Sequence, residues 1–196
     1  MGLKKDFPFS PFDILNPDLR WTPDPDMLSK KDFSGLSAPF VQKIRKDIYD
    51  WRLNGYKNIS DTTRSLLKYW FETEHQNNFS YYFAQRESVE TIIYLFEHES
   101  IKNTKQLLKY DSWGTLTESL IKDNWLRFVL KQATGTGKTK VMSLLIAWSY
   151  FHKLYESESR LSKNILLLVP NTIVLDRIKD DIDGLKVFTN DPVIPL

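Results

Sequence analysis

Between residues 37 and 122 apolar side chains recur at helical spacing. Val41, Ile44, Ile48 and Trp51 share one face of a segment whose other face carries Lys43, Arg45, Lys46 and Asp47, which predicts a helix over 37–54. Ser37 suits its cap, Pro39 its first turn and Gly55 its stop. A second helix is expected over 61–75, capped by Ser60 or Asp61, with Thr63, Leu66, Leu67, Trp70 and Phe71 as its apolar stripe. A third is expected over 81–98, with Tyr82, Arg86, Val89, Ile93 and Phe96 along one side. Shorter helical pieces fill 104–122, with Gly114 between them, so 37–122 reads as a mainly helical lead-in.

The period changes after Asn124. Residues 125–131 are short, apolar and aromatic, which suits a strand. A loop over 132–137 precedes a long helical pattern with Val141, Leu144, Leu145, Trp148, His152 and Tyr155 on one face. The continuous apolar run 164–170, ended by Pro170, suits a strand buried on both faces of a parallel sheet. Asn171 or Thr172 caps the next helix, with Leu175, Ile178 and Ile182 inside and Gly184 at its end, and 185–189 is expected to form one more strand. This order of strand, helix and strand predicts an α/β fold over 123–196, a parallel sheet with right-handed crossovers.

Six of nine prolines lie in the first 39 residues, so residues 1–36 read as an extended arm. Phe7, Phe9, Phe12, Trp21 and Phe33 in that arm are more than a solvated tail needs, which suggests that it lies across a folded surface. The full length of 196 residues is ample for a buried core in one or two domains. A hydrophobic fraction of 41% with 14% aromatics excludes a disordered chain. The absence of cysteine excludes disulfides, thiolate zinc sites and a cysteine nucleophile, and it fits a cytoplasmic location. A net charge of +2 points to no partner by bulk charge. No apolar run is long enough to span a membrane, no signal-peptide core follows Met1, and Asp6 stands where myristoylation needs Ser or Thr.

The chemistry concentrates in Ala133-Thr134-Gly135-Thr136-Gly137-Lys138-Thr139. Gly135 and Gly137 allow successive backbone N–H groups, that of Thr136 between them included, to turn inward as an anion nest. The helix starting near Lys138 points its positive end at the same spot. Lys138 can reach the terminal phosphates of a nucleotide, and the Thr139 hydroxyl can ligate the Mg²⁺ that bridges them. The strict phosphate-loop pattern has Gly where this chain has Gln132, which argues against kinases and small GTPases.

Gln-Ala-Thr-Gly-Thr-Gly-Lys-Thr resembles motif I of superfamily-2 helicases and translocases, where the first position is often not Gly. Residues 164–177 are similar to the strand and turn of motif Ia. The stretches 45–56, 62–71, 83–91 and 191–195 narrow the resemblance to the DEAD/DEAH-like family known as type III restriction enzyme Res or R subunits. The resemblance implies the first part of a RecA-like phosphate-loop domain behind the helical lead-in. It implies an ATP- and Mg²⁺-dependent enzyme that moves on DNA, with a methyltransferase (modification) subunit as a possible partner. It also implies roles for single residues: Gln85 with Arg86 at the adenine, Lys138 and Thr139 at the phosphates and Mg²⁺, and Pro170, Asn171 and Thr172 at a nucleic-acid backbone. Against each stands a plainer reading, a polar helix position for Gln85 and a helix cap for 170–172.

His75, His98 and His152 show no paired ligand spacing, and Asp180, Asp181 and Asp183 read as a solvated helix end. Hydrolysis also needs an acidic Mg²⁺ ligand at a strand end, and no Asp-Glu dipeptide occurs in the chain. The expectation is therefore an N-terminal helicase fragment that is inactive by itself, whose sheet strands lack neighbours beyond about residue 160. The alternatives are another phosphate-loop NTPase class, or a non-enzymatic interaction module with a vestigial loop.

Overall fold

The computed structural model describes residues 10–19, 41–111, 116–122, 124–169, 172–182 and 184–195. Most of the Pro-rich arm, the Ser37 and Pro39 caps, Gly114, Pro170 and Asn171 lie outside the described residues. The α-helices are α1 Val41–Leu53, α2 Asp61–Glu72, α3 Phe83–Ile93, α4 Lys138–Tyr155, α5 Thr172–Ile182 and α6 Lys186–Thr189. The chain divides into two compact units, one of Met1–Asn58 with Glu90–Lys131 and one of Ile59–Val89 with Gln132–Leu196. No described helix is long and apolar enough to cross a membrane.

In the first unit α1 turns Ile44, Ile48 and Trp51 inward, as its period requires, and packs against 3₁₀ turns at Pro17–Leu19 and Thr104–Tyr110. Gly55 and Tyr56 end α1 with φ of +72° and +53°, a reversal that the glycine makes easy. The turn brings the Tyr56 ring edge-on to Trp51, while the indole N–H donates to the Lys57 carbonyl at 2.8 Å. At the centre sits Glu90, fully buried. Arg52 Nε donates to its two oxygens at 3.0 and 3.1 Å, Arg52 Nη2 pairs with Oε2, and the Tyr56 hydroxyl donates to Oε1. A buried carboxylate is tolerated because these donors replace its water shell. Beyond α3 the chain continues as a π-helical turn, Tyr94–His98, that buries Tyr94 and Leu95. Burial, with Glu99 adding its charge, pushes the Tyr94 phenol well above its ordinary range.

In the second unit α2 packs on α4. Ser60 caps α2 by accepting from the Thr63 N–H at 3.2 Å. Thr63, Leu66, Leu67 and Trp70 face inward along the expected stripe. The Trp148 indole of α4 donates to Thr63 Oγ1 at 2.9 Å, and the Trp70 indole donates to the Val193 carbonyl at 2.8 Å. Each buried ring N–H thereby has its acceptor. α6 packs on both α4 and α5 and buries Val187 and Phe188.

The expected α/β architecture, with its RecA-like parallel sheet, is not formed: among the described residues there is no strand. An apolar run becomes a strand only where a neighbouring segment completes its hydrogen-bond ladder. Over 125–131, Thr104 takes that place, its N–H and hydroxyl donating to the Trp125 carbonyl at 3.3 and 2.6 Å and its Oγ1 accepting from the Arg127 N–H at 3.1 Å. Over 164–169 Leu166 and Leu168 stand 81% and 85% exposed rather than buried on two faces. The third expected strand, 185–189, is instead the short helix α6, entered through Leu185 at φ +54°.

Replacing Glu90 by Ala leaves the Arg52 guanidinium beside an apolar methyl group. Breaking a buried pair from one side costs about 3–5 kcal/mol. Glu90→Ala is therefore expected to lower the urea midpoint of the first unit sharply, read by Trp51 fluorescence. An unchanged midpoint would show that the carboxylate does not hold α1 to α3.

Candidate nucleotide-phosphate site

The loop between Gln132 and α4 has the backbone its sequence asks for. Gly135 and Gly137 both take positive φ, +83° and +79°. A side chain at either position would be strained. Gly137 sits directly before α4, and its carbonyl accepts from the Lys140 and Val141 N–H groups at 3.0 and 3.2 Å. The first N–H groups of a helix have no partner within it, so the Lys138 and Thr139 amides face the loop with the positive end of the helix behind them.

Side chains hold this conformation from within. Thr136 Oγ1 donates to the Ala133 carbonyl at 2.8 Å, and Lys138 Nζ donates to the same carbonyl at 2.7 Å. Lys138 is exposed and Thr139 half-buried. A Cβ built on Gly135 meets nothing within 4 Å, so the outer side of the nest is open. These parts suit an anion: two glycines at positive φ, a helix N-terminus and a lysine ammonium beside them. For Mg²⁺ the chain offers the Thr139 hydroxyl, and among the described residues no group of three or more His, Asp or Glu side chains could hold a metal. Mg²⁺ characteristically keeps waters and phosphate oxygens as most of its shell, so one hydroxyl is compatible with it.

Gln85 lies against this loop but is 3% exposed, and both ends of its amide are engaged. Its Oε1 accepts from the Tyr82 N–H at 2.9 Å, and its Nε2 donates to the Thr136 carbonyl at 2.9 Å. Tyr82 is the residue before α3 and Gln85 is the third within it, so the first bond is the reach-back half of a capping box. Each end keeps one further hydrogen-bonding capacity, so burial is what stands between the Gln85 amide and an adenine edge. The neighbouring Arg86 places its guanidinium over the Phe71 ring, 5.2 Å from the centroid.

A family model described as type III restriction enzyme, res subunit, matches residues 84–193. The match covers more than half of the chain. The chain belongs to the type III restriction enzyme res subunit family. No curated protein and no solved structure matches it significantly. Membership suggests a helicase-type, ATP-dependent hydrolase of superfamily 2. The res subunit match begins at Ala84, one residue before Gln85, and so includes both the loop and the helix that touches it.

Of the remaining expected site residues, Thr172 is the exposed first residue of α5, and Pro170 and Asn171 lie outside the described residues. Sequence reasoning missed Lys140. It pairs with Asp191 and holds its ammonium 5.0 Å over the Phe79 ring, tying the first turn of α4 to the segment before Val193. Tyr81 lies in the same cluster, edge-on to Phe71 and Phe79. Burial, then the Asp191 and Tyr69 charges, push its phenol upward, so it stays neutral. Only the position of Lys140, two residues after the loop lysine, hinted at its presence near the site.

Gly137 faces two obstacles to replacement: its positive φ, and Gln85 Nε2, with which a Cβ would collide. Gly137→Ala is expected to cost about 1–2 kcal/mol from the backbone conformation alone. It should also displace Gln85 from the Thr136 carbonyl, exposing the loop amides to faster hydrogen exchange than in Gly135→Ala, where the added methyl meets open space. Equal exchange in the two variants would disprove the contact.

Proposed function

We propose that this chain binds ATP with Mg²⁺ through Gly135, Thr136, Gly137, Lys138 and Thr139. In the complete enzyme hydrolysis then drives movement on DNA. The observation that carries this reading is the loop itself: two glycines at positive φ set immediately before the first turn of α4, with Lys138 reaching back across the nest. Backbone N–H groups and the helix end take the phosphate charge, and Lys138, which donates to the Ala133 carbonyl, exchanges it for a phosphate oxygen. Thr139 would supply one oxygen to a bound Mg²⁺, which would neutralise phosphate charge. Gln85 and Arg86 stand on the helix beside the loop, the place from which the base would be read once the buried Gln85 amide is uncovered. Contact with a DNA backbone falls to the start of α5 at Thr172 with Pro170 and Asn171 before it. A modification subunit is the partner that family membership suggests.

Lys138→Ala removes the ammonium that donates to the Ala133 carbonyl. Titration of the chain with a fluorescent ATP analogue and Mg²⁺ should show saturable binding that this variant weakens at least tenfold, since charge-assisted hydrogen bonds are worth about 1.5–3 kcal/mol. In the complete enzyme the same substitution should abolish DNA-stimulated hydrolysis. Wild-type turnover by Lys138→Ala would sink the assignment.

A further inference from the structure

Gln132 stands where the strict phosphate-loop pattern has glycine, and the fold gives it a task that glycine cannot perform. Its Nε2 donates to Ser88 Oγ at 2.6 Å and lies 3.3 Å from the Ala84 carbonyl. Ser88 Oγ in turn donates to Ala84 O, one helical turn back, at 2.7 Å. The direction of this small network is therefore fixed. The Ser88 proton goes to Ala84 O, which leaves the hydroxyl oxygen free to accept from the Gln132 amide.

Ala84, Gln85 and Ser88 are adjacent on the surface of α3, at helical spacings of three and four residues. From that patch Ser88 and Ala84 hold the base of the loop at Gln132, and Gln85 holds its apex at Thr136. The two anchors are four residues apart in the loop and bracket Gly135's approach to the nest. Glycines make such a loop permissive, and permissive loops lose most entropy when a ligand fixes them. Two anchors on a rigid helix reduce that loss before any phosphate arrives.

We propose that Gln132 and Ser88 are positioning residues that preorganise the phosphate loop by bracing its base on α3. This inference rests on the reading of the loop as a nucleotide site, although the brace has its own signature without nucleotide. Gln132→Gly restores the residue of the strict pattern and removes the amide. Ser88→Ala removes the acceptor and keeps a good helix former, while Ser88→Thr keeps the hydroxyl.

Hydrogen exchange of the full chain, followed on peptides covering 132–140 without nucleotide, is expected to speed up in Gln132→Gly and Ser88→Ala and to stay at the wild-type rate in Ser88→Thr. Affinity for a fluorescent ATP analogue with Mg²⁺ should fall about three- to tenfold in each of the first two, as loss of one hydrogen bond predicts. The double variant should lose little more than Gln132→Gly alone, because Ser88→Ala acts through a contact that Gln132→Gly has already removed. Thermal midpoints should remain near wild type, since Gln132 and Ser88 are only half-buried. Losses that simply add, exchange unchanged over 132–140, or affinity that falls only in step with the thermal midpoint would each overturn the brace. Lys138→Ala serves as the separate control: if it leaves affinity intact, the nucleotide reading fails, and the exchange arm still decides whether the brace exists.

Discussion

The loop depends on the carboxamide of Gln85. A buried amide must satisfy both its oxygen and its nitrogen or lose stability. Here the oxygen ends the helix and the nitrogen ends the loop: Tyr82 N–H on one side, Thr136 C=O on the other. A single side chain therefore fixes where α3 begins and where the nest lies. The requirement also reaches Gly137, because the amide occupies the space that any Cβ there would need. A glycine of the phosphate-loop pattern thus also makes room for the glutamine.

Five residues further along α3, Glu90 is fully buried among different partners, Arg52 and Tyr56. Polar groups in a helix interior are expensive, and α3 carries two of them close together. Each has its polar atoms engaged by a partner, and each fixes a local conformation: the loop for Gln85, the reversal after α1 for Glu90. Apolar packing supplies the attraction in both units, through Ile48 and Ile93 in one and Leu67 and Leu144 in the other. The polar pairs decide the register in which that packing occurs.

Much of this was legible in the sequence. The inward residues of α1 and α2, the start of α4 and the positive φ of Gly135 and Gly137 follow from period, capping and composition. Those are local properties, set within a turn or two of chain. The third helix was read less well. Its expected stripe began at Tyr82, which is 40% exposed, whereas Phe83 and Gln85 are buried, because the helix starts only where Gln85 caps it. The sheet was misread for a different reason. Apolar runs such as 125–131 and 164–169 have the composition of strands, but a strand is a property of a pair of segments, and Thr104 occupies the backbone of Trp125 that a neighbour would have bonded.

The site shows the same division between local and non-local information. The positive φ of the two loop glycines could be read because glycine states its own conformational freedom. The second partner of Gln85 could not, because Thr136 lies 51 residues away. Gln132 was visible only as a departure from a pattern, and a departure says what is missing without saying what replaced it. Its hydrogen bond to Ser88, across 44 residues, supplies that replacement. A glycine at this position would let the loop's first turn move freely, whereas a long amide can hold it at a distance from the helix. The loss of permissiveness at Gln132 and its retention at Gly135 and Gly137 are thus consistent with one another. The base and the apex of the loop are both held on α3, at Gln132 and at Thr136.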